Sequence, residues 1–369
     1  MAKTCLIYNY AQHYRAGIFK LIDKDINCDF YFGDKMGDVK KMNYAELSNF
    51  KKELKNRKLV SHFYWQSGAV SLIFKKYKKY IVLGEYYCLS TWVLLFLCKF
   101  SNKKVFLWSH GWYGNEGFIK RIIKKIFFNL SDGIFLYGNY AKGLMIKEGF
   151  DENKLHVIYN SLDYESQLKI RENLKESNIY KNHFKNEFPT IIFIGRLTRV
   201  KKLEQIVELQ KILREKNIEV NVVLVGEGEE KEKLKTLAAE NGIKNIWFYG
   251  ACYNEVTIGE LIYNATMCVS PGNVGLTAMH AMVYGTPVLT NDTFSEQMPE
   301  FEAIETGVTG AFFKKNDLAS IAKTSLNWLQ NKKDRLQVRE ACFQKIDTYF
   351  NPKYQIRVIK NVLNEEQTT

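Results

Sequence analysis

The sequence predicts an α/β fold made of two doubly wound, Rossmann-like domains. Short β-type runs alternate with helical stretches along nearly the whole chain, which is typical of parallel sheets with crossover helices. The length of 369 residues is enough for about two domains. Because 46% of the residues are hydrophobic and 25% are charged, each domain can build its own core, and a long disordered chain is excluded.

The strands and helices fall into two series. In the first half the predicted strands are 4–8, 29–32, 80–83, 104–108, 133–137 and 155–158, and the predicted helices include 15–22, 87–100, 118–129 and 139–148. In the second half the predicted strands are 190–194, 221–225, 245–249, 267–270 and 287–290, and the predicted helices are 201–215, 229–241, 256–264 and 275–284. The resulting boundaries are a domain at 1–165, a polar linker at 166–188, a domain at 189–340, and a C-terminal helix at 341–369 that we expect to pack back on the first domain.

The positive charge is confined to the first half. The chain has a net charge of +13. Residues 1–190 hold 31 basic and 18 acidic side chains, whereas 191–369 hold 22 of each. A surplus of this size is typical of proteins that bind nucleic acid, an anionic membrane surface or an acidic substrate. Its asymmetry indicates that the two domains have different partners.

Cysteine usage and hydropathy predict a cytoplasmic protein. The seven cysteines form no CxxC pair, so they are interpreted as reduced core thiols. The first ten residues show no secretory signal. The longest apolar stretch, 88–98, has about half the length needed to span a bilayer, and we expect no transmembrane helix.

Glycine turns and two cations follow the first strands of the second half. Gly195 and Arg196 come directly after the first of these strands, and Lys201 opens the next helix. A glycine allows close approach of the backbone, and two cations beside a helix N-terminus can grip a diphosphate. The alternative is that basic residues at a helix start are simply solvated. Gly226 and Gly228 form a second turn at the same sheet edge, which can equally be only a tight turn.

The next two strands also end in turns at this edge. Tyr249, Gly250 and Ala251 close the third strand, where backbone groups could meet a flat base. Gly275 and Leu276 follow the fourth strand and open a helix. Ligands of open α/β sheets bind at the carboxyl ends of the strands, so we expect these residues at one site.

Taken in order, these residues resemble the nucleotide-sugar domain of GT-B glycosyltransferases of family 4. The motifs that carry the resemblance are Gly195-Arg196-Leu197 with Lys201, Gly226-Glu227-Gly228, Ser270-Pro271 followed by Gly275-Leu276 and Ala281-Met282, Gly285-Thr286-Pro287-Val288, and Gly307-Val308-Thr309-Gly310. The resemblance covers 186–335 strongly and the first half weakly. It implies the GT-B architecture, in which an N-terminal acceptor-binding domain and a C-terminal nucleotide-sugar domain face each other across a cleft.

The resemblance implies that Arg196 and Lys201 are catalytic. They would hold the diphosphate of a sugar nucleotide and stabilise the negative charge that grows on it as the glycosidic bond breaks. No metal and no cofactor is then needed, and the nucleoside-diphosphate sugar is a co-substrate. The residues implied to bind this donor are Gly195, Gly226, Gly228, Tyr249, Gly250, Ala251, Asn273, Gly275, Leu276 and His280.

One motif departs from the family pattern. The family usually carries two glutamates separated by seven residues, one near the donor sugar and one on the ribose hydroxyls, and here those positions are Gly272 and His280. His280 could bond a ribose hydroxyl or a phosphate, or it could be a packed helix histidine. Asn273 or backbone amides could replace the first glutamate. Glu296 or Glu300, in a carboxylate-rich loop, could supply the missing acceptor, although such loop glutamates are usually only solvated.

A second signal points to a metal. Asp23-Lys24-Asp25 formally matches the Asp-x-Asp metal site of the other glycosyltransferase fold. The motif lies at the end of a predicted helix and not after a strand. We therefore interpret it as a solvated charge cluster.

Two histidines of the first domain stand at predicted strand ends. His110 falls in the loop where the family often has a histidine near the donor sugar, and we name it as a third catalytic residue. His13, Arg15 and Gly17 follow the first strand and are possible acceptor or sugar contacts. Neutral histidine can exchange protons with a hydroxyl. The resemblance implies retention of configuration, in which the departing phosphate takes the proton and His110 positions or polarises.

Segment 118–128 predicts a cationic amphipathic helix. Its apolar residues span about 140° of the helix surface. Lys120, Arg121, Lys124 and Lys125 cover the opposite side. We expect the apolar side to pack on the sheet and the four cations to face an anionic phospholipid surface, at about 1 kcal/mol per basic residue. The alternatives are a helix that lies on lipid and an ordinary helix with a basic outer face.

These observations predict a metal-independent glycosyltransferase of the hexosyltransferase type. It would move a sugar from a nucleoside-diphosphate sugar to a glycan or lipid-linked oligosaccharide in surface polysaccharide or glycoconjugate synthesis, as a cytoplasmic protein peripheral on the inner face of the membrane. Three alternatives are a nucleotide-sugar epimerase of the same fold, a catalytically dead relative, and a basic nucleic-acid-binding protein. The last is disfavoured because no recognition motif is present.

Overall fold

The computed structural model describes residues 3–35, 37, 39–330 and 334–365. The chain forms two compact units, Met1–Asp163 with Asn351–Thr369, and Tyr164–Phe350. Each unit contains a largely parallel sheet covered by helices. The predicted fold class of two Rossmann-like α/β domains is thereby confirmed.

The sheet of the first unit has eight strands. They are β1 (Thr4–Tyr8), β2 (Cys28–Gly33), β3 (Phe50–Lys58), β4 (Tyr64–Ser67), β5 (Lys79–Leu83), β6 (Lys104–Ser109), β7 (Gly133–Leu136) and β8 (Leu155–Val157). The helices between them are α1 (Ala16–Asp25), α2 (Leu89–Lys99), α3 (Phe118–Asn129) and α4 (Asn139–Lys147). The strand order is β4-β3-β2-β1-β5-β6-β7-β8, and β4 alone runs antiparallel to its neighbour. The order changes direction between β1 and β5, which makes this the switch point of the unit.

The sheet of the second unit has six parallel strands. They are β9 (Thr190–Ile194), β10 (Asn221–Val225), β11 (Ile246–Gly250), β12 (Met267–Ser270), β13 (Val288–Asn291) and β14 (Gly310–Phe313). The helices are α5 (Tyr164–Arg171), α6 (Ile179–Phe184), α7 (Glu204–Glu215), α8 (Lys231–Glu240), α9 (Glu255–Asn264), α10 (Leu276–Val283), α11 (Leu318–Gln330) and α12 (Arg335–Tyr349). The strand order β11-β10-β9-β12-β13-β14 is that of a dinucleotide-binding sheet, with its switch point between β9 and β12.

The segments predicted as linker and C-terminal helix contain several elements. Helices α5 and α6 occupy most of 166–188 and belong to the second unit. Segment 341–369 begins within α12 of the second unit, and the chain then enters a last helix, α13 (Pro352–Glu365), which belongs to the first unit. None of the helices in the described ranges is long and apolar enough to cross a membrane.

Both faces of the first sheet carry a core, because side chains of a strand alternate between the faces. On one face, Leu94 of α2, Phe127 of α3 and Met145 of α4 join a single buried cluster. On the other face, Phe19 of α1 and Ile359 of α13 lie in a second cluster. Helices α2, α3 and α4 therefore share one side of the sheet, and α1 and α13 share the other.

Helix α3 is turned opposite to the sequence-based expectation. Its apolar stripe points to solvent, and its packed side is made by Lys124, Phe127 and Phe128. Lys124, predicted to face a membrane, has 4% of its side chain exposed and lies 2.5 Å from the Glu116 carboxylate. Its ammonium also donates to the Gly111 carbonyl at 2.7 Å. The prediction that Lys124 faces outward is therefore wrong, because a buried ion pair and two phenylalanines form the packed side.

The other three cations of α3 are exposed, as expected. Lys120 and Lys125 lie on the surface, and the Lys125 ammonium donates to the Glu148 carbonyl at 2.6 Å. The Arg121 guanidinium contacts the Glu148 carboxylate at 2.6 Å. Whether these cations face lipid stays a prediction.

Candidate functional site

Three loops meet backbone to backbone at the switch point of the second unit. A Cβ on Gly226 would lie 1.9 Å from the Gly195 carbonyl oxygen, and a Cβ on Gly228 would lie 2.2 Å from the Leu197 carbonyl oxygen. No side chain fits at such distances. Gly195 and Gly226 also both have φ of +145°, which favours glycine. The two glycine turns therefore seat the loop after β10 against the loop after β9.

Gly272 lies where the loop after β12 approaches the turn that carries Lys201. A Cβ at this position would lie 2.0 Å from the Val200 carbonyl oxygen. The Gly272 amide donates to the Lys201 carbonyl at 3.0 Å, and the Asn273 amide donates to the Val200 carbonyl at 3.3 Å. The loop after β12 thus pairs with the turn that carries Lys201, and only glycine can make this approach.

The side chain of Lys201, from the turn after β9, reaches the N-terminus of α10. Its ammonium donates to the Asn273 carbonyl at 2.6 Å, and a Cβ on Gly275 would lie 3.9 Å from it. Burial lowers the pKa of Lys201, the Glu300 carboxylate raises it, and the Arg196 guanidinium lowers it again. Arg196 and Glu300 are therefore each close enough to Lys201 for their charge to act on its ammonium. A cation beside a helix N-terminus, with a second cation nearby, forms a site for an anion.

Side chains of the neighbouring loop hold this helix start in place. The side-chain nitrogen of Asn273 donates to the Glu296 carbonyl at 2.8 Å. The buried Gln297 side chain accepts from the Val274 amide at 2.8 Å and donates to the Gly272 carbonyl at 3.2 Å. Asn273, predicted as a donor ligand, therefore positions the loop with its side-chain nitrogen.

Of the two loop glutamates, Glu300 is the one whose charge acts on Lys201. Glu300 is buried, with 2% exposed, and it acts on the pKa of Lys201. The Glu296 carboxylate pairs instead with Lys315. Glu300 is thus a residue of the cation cluster, whereas the Glu296 carboxylate is held by a surface lysine.

His280 binds a carboxylate that the sequence did not reveal as part of the site. Its Nε2 lies 2.9 Å from Oε1 of Glu255, the first residue of α9. Tyr284 and Gln167 donate to the same oxygen at 2.9 Å and 2.8 Å. Burial raises the pKa of Glu255, but the three partners lower it more, and His280 has the largest effect among them. The pKa of Glu255 is therefore lowered to about 2. One feature of the sequence could have indicated Glu255. It follows Asn254, a residue that caps a helix, shortly after the end of β11.

The end of β11 is also joined to the glycine turns. The Gly226 amide donates to the Gly250 carbonyl at 2.8 Å, and Gly250 has φ of +90°. Tyr249 is half-buried and packs against Trp247, with ring centroids 4.9 Å apart. Ala251 is exposed at the same edge. These residues thus line the edge at which Glu255 begins the next helix.

In the first unit the structure brings His110 and Arg15 together. Both contact the ring of Tyr137. The Arg15 guanidinium carbon is 5.2 Å from the centre of this ring, and the centre of the His110 imidazole is 4.7 Å from it. Burial, Arg15 and Lys124 lower the pKa of His110 to about 3. His110 is therefore a neutral imidazole at physiological pH. Its buried Nδ1 has no hydrogen-bond partner among the described residues.

The other residues predicted beside the first strand have structural partners. His13 is exposed, and its Nδ1 lies 3.2 Å from the Lys40 carbonyl. Gly17 sits where α1 meets α13, and an added Cβ would lie 3.2 Å from the ring of Pro352. Gly17 is thus explained by helix packing.

The aspartate motif of α1 is explained by a turn. The Asp23 carboxylate accepts from the backbone amides of Ser48 and Asn49 at 2.7 Å and 3.1 Å. Within the described part of the chain, no group of three or more histidines, cysteines and carboxylates could hold a metal ion.

Comparisons with known proteins identify the second unit. Residues 175–345 match the model of the family described as glycosyl transferases group 1. The resemblance stated from the sequence is thereby confirmed for this segment.

Two curated relatives match about two thirds of the chain. An uncharacterized 41.2 kDa protein in the cps region of Klebsiella pneumoniae is 25% identical over 257 residues, which cover 69% of this chain and 63% of that protein. The uncharacterized glycosyltransferase MJ1069 of Methanocaldococcus jannaschii is 25% identical over 252 residues, which cover 66% of this chain and 61% of that protein. The match thus spans less than two thirds of each relative.

Solved structures share the fold over the whole length. The lipopolysaccharide outer core galactosyltransferase WaaB in its apo form aligns with a TM-score of 0.70 at 15% identity, covering 99% of both chains. HepE of Anabaena in complex with UDP aligns with a TM-score of 0.72 at 13% identity, covering 98% of this chain and 100% of that one. At these identities the likeness shows the fold alone.

The packing at Gly272 predicts that any side chain at this position destabilises the fold. Gly272→Ala should lower the free energy of unfolding by about 1 to 3 kcal/mol, because its Cβ collides with a backbone carbonyl. Gly143→Ala in α4 is the matched control, since nothing lies within 4 Å of an added Cβ there. Urea denaturation measures both. Unchanged stability of the Gly272 variant would contradict the close approach of the two loops.

The depressed pKa of His110 predicts a pH-dependent stability. An unfolded histidine titrates near about 6.5, whereas His110 in the fold titrates at about 3. Between these values the unfolded state binds more protons, so stability falls as the pH falls. The wild type should lose free energy of unfolding between pH 7 and pH 5, and in His110→Asn this loss should be smaller by about 1 to 2 kcal/mol. Equal slopes in the wild type and in His110→Asn would refute the assignment.

Proposed function

We propose that this protein is a retaining glycosyltransferase that moves a sugar from a nucleoside-diphosphate sugar to an acceptor hydroxyl. The observation that carries the proposal is the Lys201 ammonium at the N-terminus of α10 and at the switch point of the sheet, with Arg196 near enough for its charge to lower the pKa of Lys201. The family of segment 175–345 supports the reaction class. The name of the archaeal relative is consistent with it.

The diphosphate is proposed to bind at the start of α10. Backbone amides at this helix end and the Lys201 ammonium would bind its oxygens, and the exposed Arg196 would close over them. As the bond between the sugar and the diphosphate breaks, negative charge grows on the leaving phosphate. Lys201 and Arg196 would stabilise that charge from positions fixed before the reaction, so that transfer needs no metal.

The nucleoside is proposed to extend along α10 toward Glu255. His280 follows Gly275 by five residues, or about 7.5 Å along a helix axis, which suits the reach from a diphosphate to a ribose. Side-chain exposure of Glu255 is 32%, and in the described residues no hydrogen bond ends on its Oε2. This oxygen would accept from the ribose hydroxyls. The base would lie against the backbone at Tyr249, Gly250 and Ala251.

The first unit is proposed to bind the acceptor. Because the pKa of His110 lies at about 3, this imidazole is a poor proton acceptor at neutral pH and would position a hydroxyl through hydrogen bonding. The proton of the attacking hydroxyl would pass to the leaving phosphate on the same face. Arg15, beside His110, is proposed to contact the sugar or the acceptor.

A glycan or lipid-linked oligosaccharide is the proposed acceptor. One relative is encoded in a cps region, another is named as the putative glycosyltransferase EpsD of Bacillus subtilis, and one structural neighbour is a lipopolysaccharide outer core galactosyltransferase. These names support a role in surface polysaccharide synthesis. Neither an epimerase nor a nucleic-acid-binding protein finds support in the comparisons.

The cation pair predicts the effect of two substitutions. Lys201→Met and Arg196→Ala should each lower kcat by about 100-fold or more, as expected for the loss of a transition-state partner, and should leave the fold intact. Thermal shifts with UDP, GDP and dTDP first identify the base, and the stabilising nucleotide should lose its effect in Lys201→Met. Lys202→Met is the control, because its ammonium pairs with Asn316. Wild-type turnover in either test variant would overturn the diphosphate assignment.

The ribose assignment predicts a change in nucleotide discrimination. Glu255→Gln should weaken the binding of the preferred ribonucleoside diphosphate about tenfold or more, because a charged hydrogen-bond acceptor is lost. It should leave the affinity for the 2′,3′-dideoxy analogue unchanged. Calorimetry measures both ligands, and Glu260→Gln on the same helix is the matched control. Equal losses for the two ligands would show that Glu255 acts on the fold and not on the ribose.

A further inference from the structure

Helix α3 presents an apolar stripe to solvent. Its members are Phe118, Ile119, Ile122, Ile123 and Ile126, which are 37 to 77% exposed. At about 100° per residue these five lie on one side of the helix, and the buried Lys124, Phe127 and Phe128 lie on the other. The stripe therefore points away from the sheet. A soluble helix normally buries such a stripe.

Helix α2, on the same side of the sheet, carries further exposed apolar side chains. Val93, Phe96 and Phe100 are 37%, 56% and 77% exposed, and their spacing of three and four residues places them on one face. Helices α2 and α3 cover the same side of the sheet and touch through Trp92 and Phe127, whose ring centroids are 5.0 Å apart. These three residues and the five of α3 form what we call the apolar patch. Its extent is unusual for a surface that stays in water.

The charges that α2, α3 and the segment between them contribute around the apolar patch are almost all positive, while Glu148, after α4, is paired with Arg121. Between Glu85 and Asp132 the sequence contains one acidic residue, Glu116. That carboxylate is buried against Lys124, with 1% of its side chain exposed. The same stretch holds seven lysines and arginines. Lys120 and Lys125 lie on opposite flanks of the stripe and are exposed. The surface therefore combines exposed apolar side chains with a rim of cations.

We propose that the apolar patch anchors the protein in the surface of an anionic lipid bilayer. Helix α3 has 12 residues, which is about 18 Å of helix and too short to span a bilayer. It would lie parallel to the surface, with its stripe among the acyl chains and Lys120 and Lys125 at the phosphate level. A second copy of the chain is a poorer occupant, because a two-fold contact would bring the same cations together. The inference does not rest on the proposed function.

Flotation with lipid vesicles tests the anchor. The full chain is mixed with vesicles of phosphatidylcholine containing 30% phosphatidylglycerol, at about 0.1 M salt. Wild-type protein should float with them, and the floated fraction should fall at least fivefold on phosphatidylcholine alone. Ile122→Glu with Ile126→Glu should lower the floated fraction at least tenfold. Lys120→Glu with Lys125→Glu should lower it on anionic vesicles at least threefold.

The matched control changes two apolar residues elsewhere that are at least as exposed as Ile122 and Ile126. Val256 and Leu336 in the second unit are 58% and 66% exposed, so Val256→Glu with Leu336→Glu makes the same chemical change away from the patch. This control should float like the wild type. Circular dichroism and thermal melting verify that each variant is folded, which is expected because the altered side chains are exposed.

Three outcomes would overturn the proposal. The first is wild-type flotation of the folded Ile122→Glu, Ile126→Glu variant, and the second is equal loss in the control. The third is that the wild type sediments as a dimer, the patch variant sediments as a monomer, and neither protein floats. This last result would assign the patch to contact between copies. Loss of flotation with intact turnover on a water-soluble acceptor would support the anchor and leave the proposed function standing.

Discussion

The close approach of three loop backbones at the switch point of the second unit is the constraint on which the proposed site depends. Gly226, Gly228 and Gly272 each stand within 2.2 Å, measured from an added Cβ, of a carbonyl oxygen on the loop that carries the cations. Backbone hydrogen bonds hold that loop on both sides. The Leu197 amide donates to the Glu227 carbonyl at 2.8 Å, and the Gly272 amide donates to the Lys201 carbonyl at 3.0 Å. Charged groups on a backbone fixed in this way need little reorganisation when a ligand's charge develops.

The packing around the switch point also limits where a carboxylate can stand at this sheet edge. A glutamate at position 272 would need room that the carbonyl of Val200 occupies. A glutamate at position 280 would repel the Glu255 carboxylate, which instead meets a histidine there at 2.9 Å. The carboxylate that meets His280 at this edge thus comes from Glu255, the first residue of α9. Because His280, Tyr284 and Gln167 all end on one oxygen, the second oxygen is oriented by bonds that a ligand does not have to break.

The sequence predicted the buried strands well and the exposed ones poorly. The predicted strands 4–8, 190–194, 221–225 and 267–270 coincide with β1, β9, β10 and β12, whose residues are all buried. Strand β3 was missed because its sequence is rich in lysine and it buries only Leu54. Glu255 was missed because its partner is 25 residues away, on another helix. Local patterns reveal burial and turns, but they do not show which helices meet at a sheet edge.

Helix α3 shows the limit of periodicity most clearly. The spacing of its isoleucines specifies a stripe, but it does not say whether the stripe faces the sheet. Two phenylalanines fill more of the core than isoleucine can, and Glu116 and the Gly111 carbonyl satisfy the buried Lys124 ammonium, so the opposite side packs inward. Each large apolar side chain left in water forgoes about 1.5 to 3 kcal/mol of burial energy. Folding of this unit leaves five such side chains of α3 exposed, and a lipid surface bordered by anionic head groups is an environment that can recover that energy.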